Sequence, residues 1–325
     1  MLALLLGGAN IHAVTVIKVG SVAPDRSPWN KALQEVGADW AKISNGQVEL
    51  KIYAGGIAGS EEDMLRKLRL GTLHAAVFTT FGMVKVNPDV FVLSTPFLWD
   101  SEPEFQYVFD KIKPVFRKQV EDKGFKVLLW TQAGWTYFFT KGKTLFPEDM
   151  KRYKISFPTG ESEMEQAWKS MGYQIVPNDL KNLMIGLQSG LVDSFFLPPL
   201  LAASGQYFAL APYMLDLPVA PLIGGLVLNR KTWESIPQEF REPMEQALTK
   251  AAERLAGETQ GLDKEAIKTM QDNGLIVVKP PADALGKWRA VAAKGTDVLT
   301  ERAFSKEIYQ QALALIAEYR QKSAR

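Results

Sequence analysis

The chain has 325 residues, 46% apolar and 23% charged, with 38 Lys+Arg against 36 Asp+Glu and no cysteine. That balance excludes disordered, collagen-like and disulfide-scaffold proteins, along with thiol chemistry and cysteine-ligated zinc or iron–sulfur sites. The net charge of +2 with no basic block gives no footprint for nucleic acid, and single cores stop growing at about 250–300 residues, so two lobes are expected.

Residues 1–13 open on an apolar run and end on small residues. They resemble the core and cleavage end of a secretory signal, without its positive start. A strand follows at residues 16–20. Ser27 and Pro28 open a helix whose apolar positions, Leu33, Val36 and Trp40, keep helical spacing up to a stop at residues 44–46. Residues 48–53 alternate as a strand. Gly55, Gly56 and Gly59 form a turn, and Ser60 with Asp63 begins a capped helix that closes on Gly71. Residues 75–79 read as a buried strand. The alternation of strand and helix predicts an α/β lobe with a mainly parallel sheet.

The second half repeats this style. Strands are expected at 126–130, 137–140, 154–158 and 192–197, and helices at 162–171 and 180–190. From residue 238 to about 272 the positions Phe240, Met244, Leu248, Ala251 and Leu255 keep the helical period. Such a helix is about 50 Å long, enough to cross between lobes. No stretch reaches the ~20 apolar residues of a membrane-spanning helix.

Catalytic inventory is poor. His12 and His74 are the two histidines, so neither a histidine pair for a metal nor a Ser-His-Asp set can be built. The glycines at 55–59 lack both the dinucleotide order and the phosphate-loop lysine. Glu61, Glu62 and Asp63, like Glu161 and Glu163, lie at helix starts, where they complement the helix dipole. No enzyme, cofactor or metal site is expected.

Several ordered motifs carry more information: residues 27–29 (SPW), 64–71 (MLRKLRLG), 96–99 (PFLW), 147–151 (PEDMK), 154–158 (KISFP), 187–193 (LQSGLVD) and 229–233 (NRKTW). In this order and spacing, across about residues 16–310, the chain resembles the solute-binding receptors of TRAP transporters, the DctP-type family. The resemblance implies an α/β, two-lobed periplasmic binding protein fold with hinge strands and a long lobe-spanning helix. It also implies an exported, periplasmic protein that performs no chemistry and passes a ligand to a small and a large membrane subunit. Some such receptors associate with a tetratricopeptide-repeat partner. The lobes are expected at 14–133 plus 222–261 and at 134–221 plus 262–325, after the signal segment at 1–13.

The sequence departs from the family where ligands are held. Receptors of this type commonly place an arginine where Ser156 stands and a second where Thr136 stands, and no arginine occurs between Arg117 and Arg152. A hydroxyl cannot neutralise a carboxylate as a guanidinium fork does, and burying an uncompensated carboxylate costs several kcal/mol. Trp135, Phe157, Phe195, Phe196 and Leu197 offer an apolar lining instead. Apolar contact contributes about 25 cal/mol per Å², enough to hold a hydrocarbon body by area. Strand alternation lets only one of Phe195 and Phe196 face the cleft.

The expected ligand is therefore hydrophobic or amphipathic. The expected contacts are Trp135, Thr136, Ser156, Phe157, Pro158, Phe195, Phe196 and Leu197. Trp29, Thr79, Thr80 and Phe81 join them from strand ends, where open α/β sheets bind ligands, together with Phe97 and Trp130. Ala220 and Pro221 are placed to close the rim. Two alternatives stand beside this reading. One is an organic acid held by a relocated cation, Lys141, Lys143, Lys154 or Arg152. The other is a lipid or hydrophobe carrier that works with a partner protein without transport.

Overall fold

The computed structural model describes residues 14–160 and 162–323; the expected signal segment and His12 lie outside them. In the first lobe the order is β1 (Thr15–Ser21), α1 (Pro28–Ile43), β2 (Val48–Tyr53), α2 (Glu61–Leu70), β3 (Ala75–Thr79), α3 (Thr80–Val86), α4 (Glu102–Glu121) and β4 (Phe125–Trp135). Pro28 sits in the first turn of α1, with Ser27 accepting from the Asn30 amide as its cap. Ser60 and Asp63 form the expected reciprocal cap of α2.

The second lobe holds β5 (Tyr137–Thr140), α5 (Pro147–Met150), β6 (Lys154–Phe157), α6 (Ser162–Ser170), β7 (Gln174–Pro177), α7 (Leu183–Ser189), β8 (Ser194–Leu197), α8 (Pro199–Ser204) and β9 (Tyr213–Leu215). The chain then continues through β10 (Pro221–Asn229), α9 (Arg230–Ser235), α10 (Gln238–Asp272), β11 (Ile276–Val278), α11 (Ala284–Arg302) and α12 (Lys306–Ser323).

Two sheets result, ordered β2-β1-β3-β10-β4 and β11-β9-β5-β8-β6-β7. β1 pairs parallel with β2 and β3, as the alternation predicts. β10, returning from the other lobe, pairs antiparallel with both β3 and β4, so the first sheet is mixed. β4 runs through Thr136 into β5, and β9 runs into β10. These two passages are stitched together: the Thr136 amide and hydroxyl each donate to Ala220 O at 2.9 Å, and the Val219 amide donates to Thr136 O at 2.9 Å. This is the expected pair of hinge strands.

The 35-residue α10 is about 52 Å long and braces both lobes. Its first half buries Met244, Leu248 and Ala251 with Trp40 and Trp233, and Trp40 Nε1 donates to Met244 O. Its last turns bury Met270 among Phe139, Leu187 and Phe195. Beyond it, α11 packs on α6 of the second lobe, but α12 packs on α4 of the first. The expected boundary assigned all of 262–325 to the second lobe. α12 buries Ile308, Ala312 and Ile316 in the core that also holds Phe105, Phe109 and Phe116 of α4, and Arg320 holds Glu104 at 2.7 Å and Asp100 at 2.8 Å.

Candidate functional site

A cavity of about 280 Å³ lies between the lobes, closed behind by the hinge strands. From the first lobe it is lined by Val22 and Pro24 after β1, by Gly55, Gly56 and Gly59 of the glycine turn, by Ser60 and Glu61 at the start of α2, and by Thr79, Thr80 and Phe81 at the end of β3. Ser156, Phe157 and Pro158 face them from the second lobe, with Trp168, residues 178–181, Phe195, Phe196, Leu197 and Tyr207. Thr136, Ala220, Pro221 and Leu222 supply the hinge side. The ends of the parallel strands β1, β2 and β3, and of β6, β7 and β8, converge here because parallel neighbours deliver their following turns to the same edge of a sheet.

The aromatic wall is continuous across the two lobes. Phe81 meets Phe157 edge-on at 5.7 Å, Phe196 stacks on Trp168 at 5.3 Å, and Phe195 stacks on Phe139 at 4.9 Å. Alternation was expected to let only one of Phe195 and Phe196 face the cleft; Phe195 is only 2% exposed and belongs to the core beneath the sheet, while Phe196 is half-buried. Both nonetheless contribute to the cavity wall.

The polar groups are mostly engaged within the protein. Ser156 donates to Asn178 O at 3.0 Å and accepts from Asn178 Nδ2 at 3.1 Å. Thr136, at the second arginine position, spends its hydroxyl on the hinge. Thr80 donates to Ile223 O at 3.1 Å and lies 3.1 Å from the Ser94 hydroxyl. Glu61 accepts from the Thr79 amide at 2.6 Å and the Thr79 hydroxyl at 2.8 Å. Burial pushes its pKa up to about 7; the Thr79 and Gly82 hydrogen bonds oppose that rise, and the charge of Asp179 adds to it. Asp179 accepts from the Thr159 amide and hydroxyl at 3.0 and 2.7 Å.

Four expected contacts do not line this cavity. Trp29 lies half-buried in the first turn of α1, and Val22 and Pro24 of the preceding loop take its place. Trp130 packs against Phe109 and Phe116, since β4 directs it toward α4. Trp135 turns outward, its Nε1 donating to Glu102 and its ring meeting Phe105 at 6.1 Å. Phe97 packs on Trp288 at 5.4 Å. Its backbone has φ 57°, rare for an aromatic. Two contacts hold it there: its amide donates to Val219 O at 2.7 Å and its carbonyl accepts from Arg289 at 3.3 Å.

The relocated cations fare no better. Lys154 Nζ donates to Gly190 O, Lys141 Nζ to Leu187 O at 3.4 Å, and Arg152 to Lys143 O at 2.7 Å. None of the three, nor Lys143, lines the cavity. Among the described residues the cation that does is Lys181, whose stem lies across from Gly56 of the first lobe. Sequence reasoning missed Lys181, Asp179 and Glu61, since each reads as an ordinary helix-start or surface residue. His74 is structural: its Nδ1 accepts from the Lys18 amide at 3.1 Å. Among the described residues no cluster suited to a metal ion occurs.

Known proteins share this architecture. Residues 19–302 match the family described as bacterial extracellular solute-binding protein, family 7. A solute-binding protein of Chromohalobacter salexigens is 26% identical over 76% of this chain and 73% of its own. The C4-dicarboxylate-binding periplasmic protein DctP of Rhodobacter capsulatus is 20% identical over 90% and 89%. Among solved structures, a TRAP periplasmic solute-binding protein of Fusobacterium nucleatum with bound sn-glycerol-3-phosphate superposes with a TM-score of 0.87 at 22% identity, covering 96% of this chain and 100% of that one. Another from Sulfurospirillum deleyianum, with bound succinate, gives 0.85 at 18% identity over 93% and 99%. Since the match runs through both sheets, the hinge strands and the long helix, the chain belongs to bacterial extracellular solute-binding protein family 7, the DctP family of TRAP solute receptors.

Proposed function

We propose that this receptor, working in the periplasm with TRAP membrane subunits, holds a hydrophobic or amphipathic solute in the interlobe cleft. One observation carries the reading. The charged residues lining the cavity are Glu61, Asp179 and Lys181, with no arginine among the described lining residues, and the walls are aromatic on both sides. The relatives named above bind a C4-dicarboxylate, succinate and sn-glycerol-3-phosphate, all anions. Two carboxyls in the cleft oppose such ligands, while apolar contact at about 25 cal/mol per Å² favours a hydrocarbon body.

A second reading rests on Lys181: an organic acid paired with its ammonium at the cleft mouth. Native mass spectrometry and solvent extraction of the protein purified from its own host decide between them. Recovery of a neutral or weakly polar amphiphile supports the first reading. A co-purifying small di- or hydroxy-acid that is lost on Lys181→Met overturns it.

A further inference from the structure

Glu61 and Asp179 approach the cavity from opposite lobes. Glu61 stands at the first turn of α2 and Asp179 in the loop after β7, and both line the cavity; the charge of Asp179 is the smallest of the influences on Glu61. Glu61 already occupies the Thr79 amide and hydroxyl at the end of β3. Thr79 lines the cavity, so its donors are already taken where an incoming acid group would need them. Of the cations nearby, Lys85 donates to Gly160 O, and Lys181 is exposed to solvent.

The geometry points to Glu61, with Asp179 opposite, as the specificity-determining pair that closes this cleft to carboxylate ligands and reserves it for amphiphiles with an uncharged polar end. The inference rests on the proposed function and sharpens it. An acid entering the cleft meets a carboxyl seated on the donors it would need and another facing it, in surroundings of low dielectric where like charges repel strongly. An amide or alcohol of the same length loses nothing to either charge and gains the same apolar contact. Because Glu61 titrates near neutrality, the discrimination has a pH profile.

The test is a competition between two probes of equal length, decanoate and decanamide, followed by tryptophan fluorescence, since Trp168 lies in the cavity wall. Wild-type protein at pH 8 should favour decanamide at least tenfold. The preference should shrink between pH 8 and pH 6, where Glu61 takes up a proton while decanoate stays ionised. Glu61→Gln and Asp179→Asn should each shift the affinity ratio toward decanoate several-fold at pH 8, and Glu61→Gln should also flatten the pH profile. Thermal unfolding checks that the variants fold, and Asp179→Asn serves if Glu61→Gln does not. Decanamide binding with no preference over decanoate, or a ratio that neither variant moves, overturns this inference and leaves the apolar-ligand reading standing. Failure of both probes alongside binding of succinate overturns the reading itself and this inference with it.

Discussion

At Glu61 a carboxyl is held where water is scarce, and the consequence is measurable without any ligand. Its folded-state pKa stands near 7 against an ordinary 4.5, with burial as the largest cause. The folded protein therefore binds this proton more readily than the unfolded chain between those two values. Stability contributed at this position falls as pH rises from about 4.5 to 7, and the full penalty persists above 7. The penalty is on the order of 2 kcal/mol, since part of the residue remains accessible. Glu61→Gln carries no such charge. The difference in unfolding free energy, variant minus wild type, should move in favour of the variant by about 2 kcal/mol between pH 5 and pH 8 in urea titrations. A pH-independent difference would show that Glu61 titrates normally. Ser156 and Thr136 were readable at this scale, since a missing guanidinium is a property of the sequence. Glu61 was not. A capping-type acidic run looks solvated until β3 brings Thr79, 18 residues away, onto its oxygens.

Among the elements, the hinge shows what local pattern conveys and what it omits. β4 was legible from 126 to 130 because residues 127–130 form a short apolar run, with Val127 and Leu128 both buried. Its extension to Trp135 was not, for residues 129–135 are all half-buried and give no alternation. Within that extension Gly134 adopts φ 109°, and an added Cβ would lie 2.8 Å from Asp263 of α10. Asp263 in turn accepts from the Leu200 amide at 3.0 Å, tying the long helix to α8 beside the hinge. Gly134→Ala should therefore destabilise the protein by about 1–3 kcal/mol, from backbone strain together with displacement of that carboxyl. The measurement is a thermal melt. An unchanged midpoint would mean that the hinge relaxes freely around this position. The C-terminal helices escaped sequence reading for a related reason. α11 buries Ala284, Ala292, Gly295 and Thr296 beside Trp288 and Leu299, and small residues leave little apolar periodicity to find.

In the whole molecule the two lobes meet across the cleft in a closed arrangement. Phe81 touches Phe157, Gly56 faces Lys181, and Lys85 of α3 donates to the carbonyl of Gly160, which also lies beside Glu62. Two-lobed architecture and the bracing helix were readable from ordered motifs and from a helical period sustained over 35 residues. The apposition of the lobes was not, because Lys85 and Gly160 are 75 residues apart and neither belongs to a periodic pattern. A half-exposed ammonium–carbonyl hydrogen bond contributes about 1 kcal/mol, which corresponds to roughly a fivefold change in the ratio of closed to open forms. Lys85→Met retains the aliphatic stem and removes the donor. It should shift the unliganded protein toward open forms, seen in small-angle scattering as a radius of gyration above the ~20 Å expected of a compact chain of this length. Saturating ligand should restore the smaller value, because a ligand that contacts both lobes favours the closed form by its differential affinity. If scattering from Lys85→Met and wild type is the same with and without ligand, this contact does not govern closure, and the aromatic contact between Phe81 and Phe157 becomes the element to remove next.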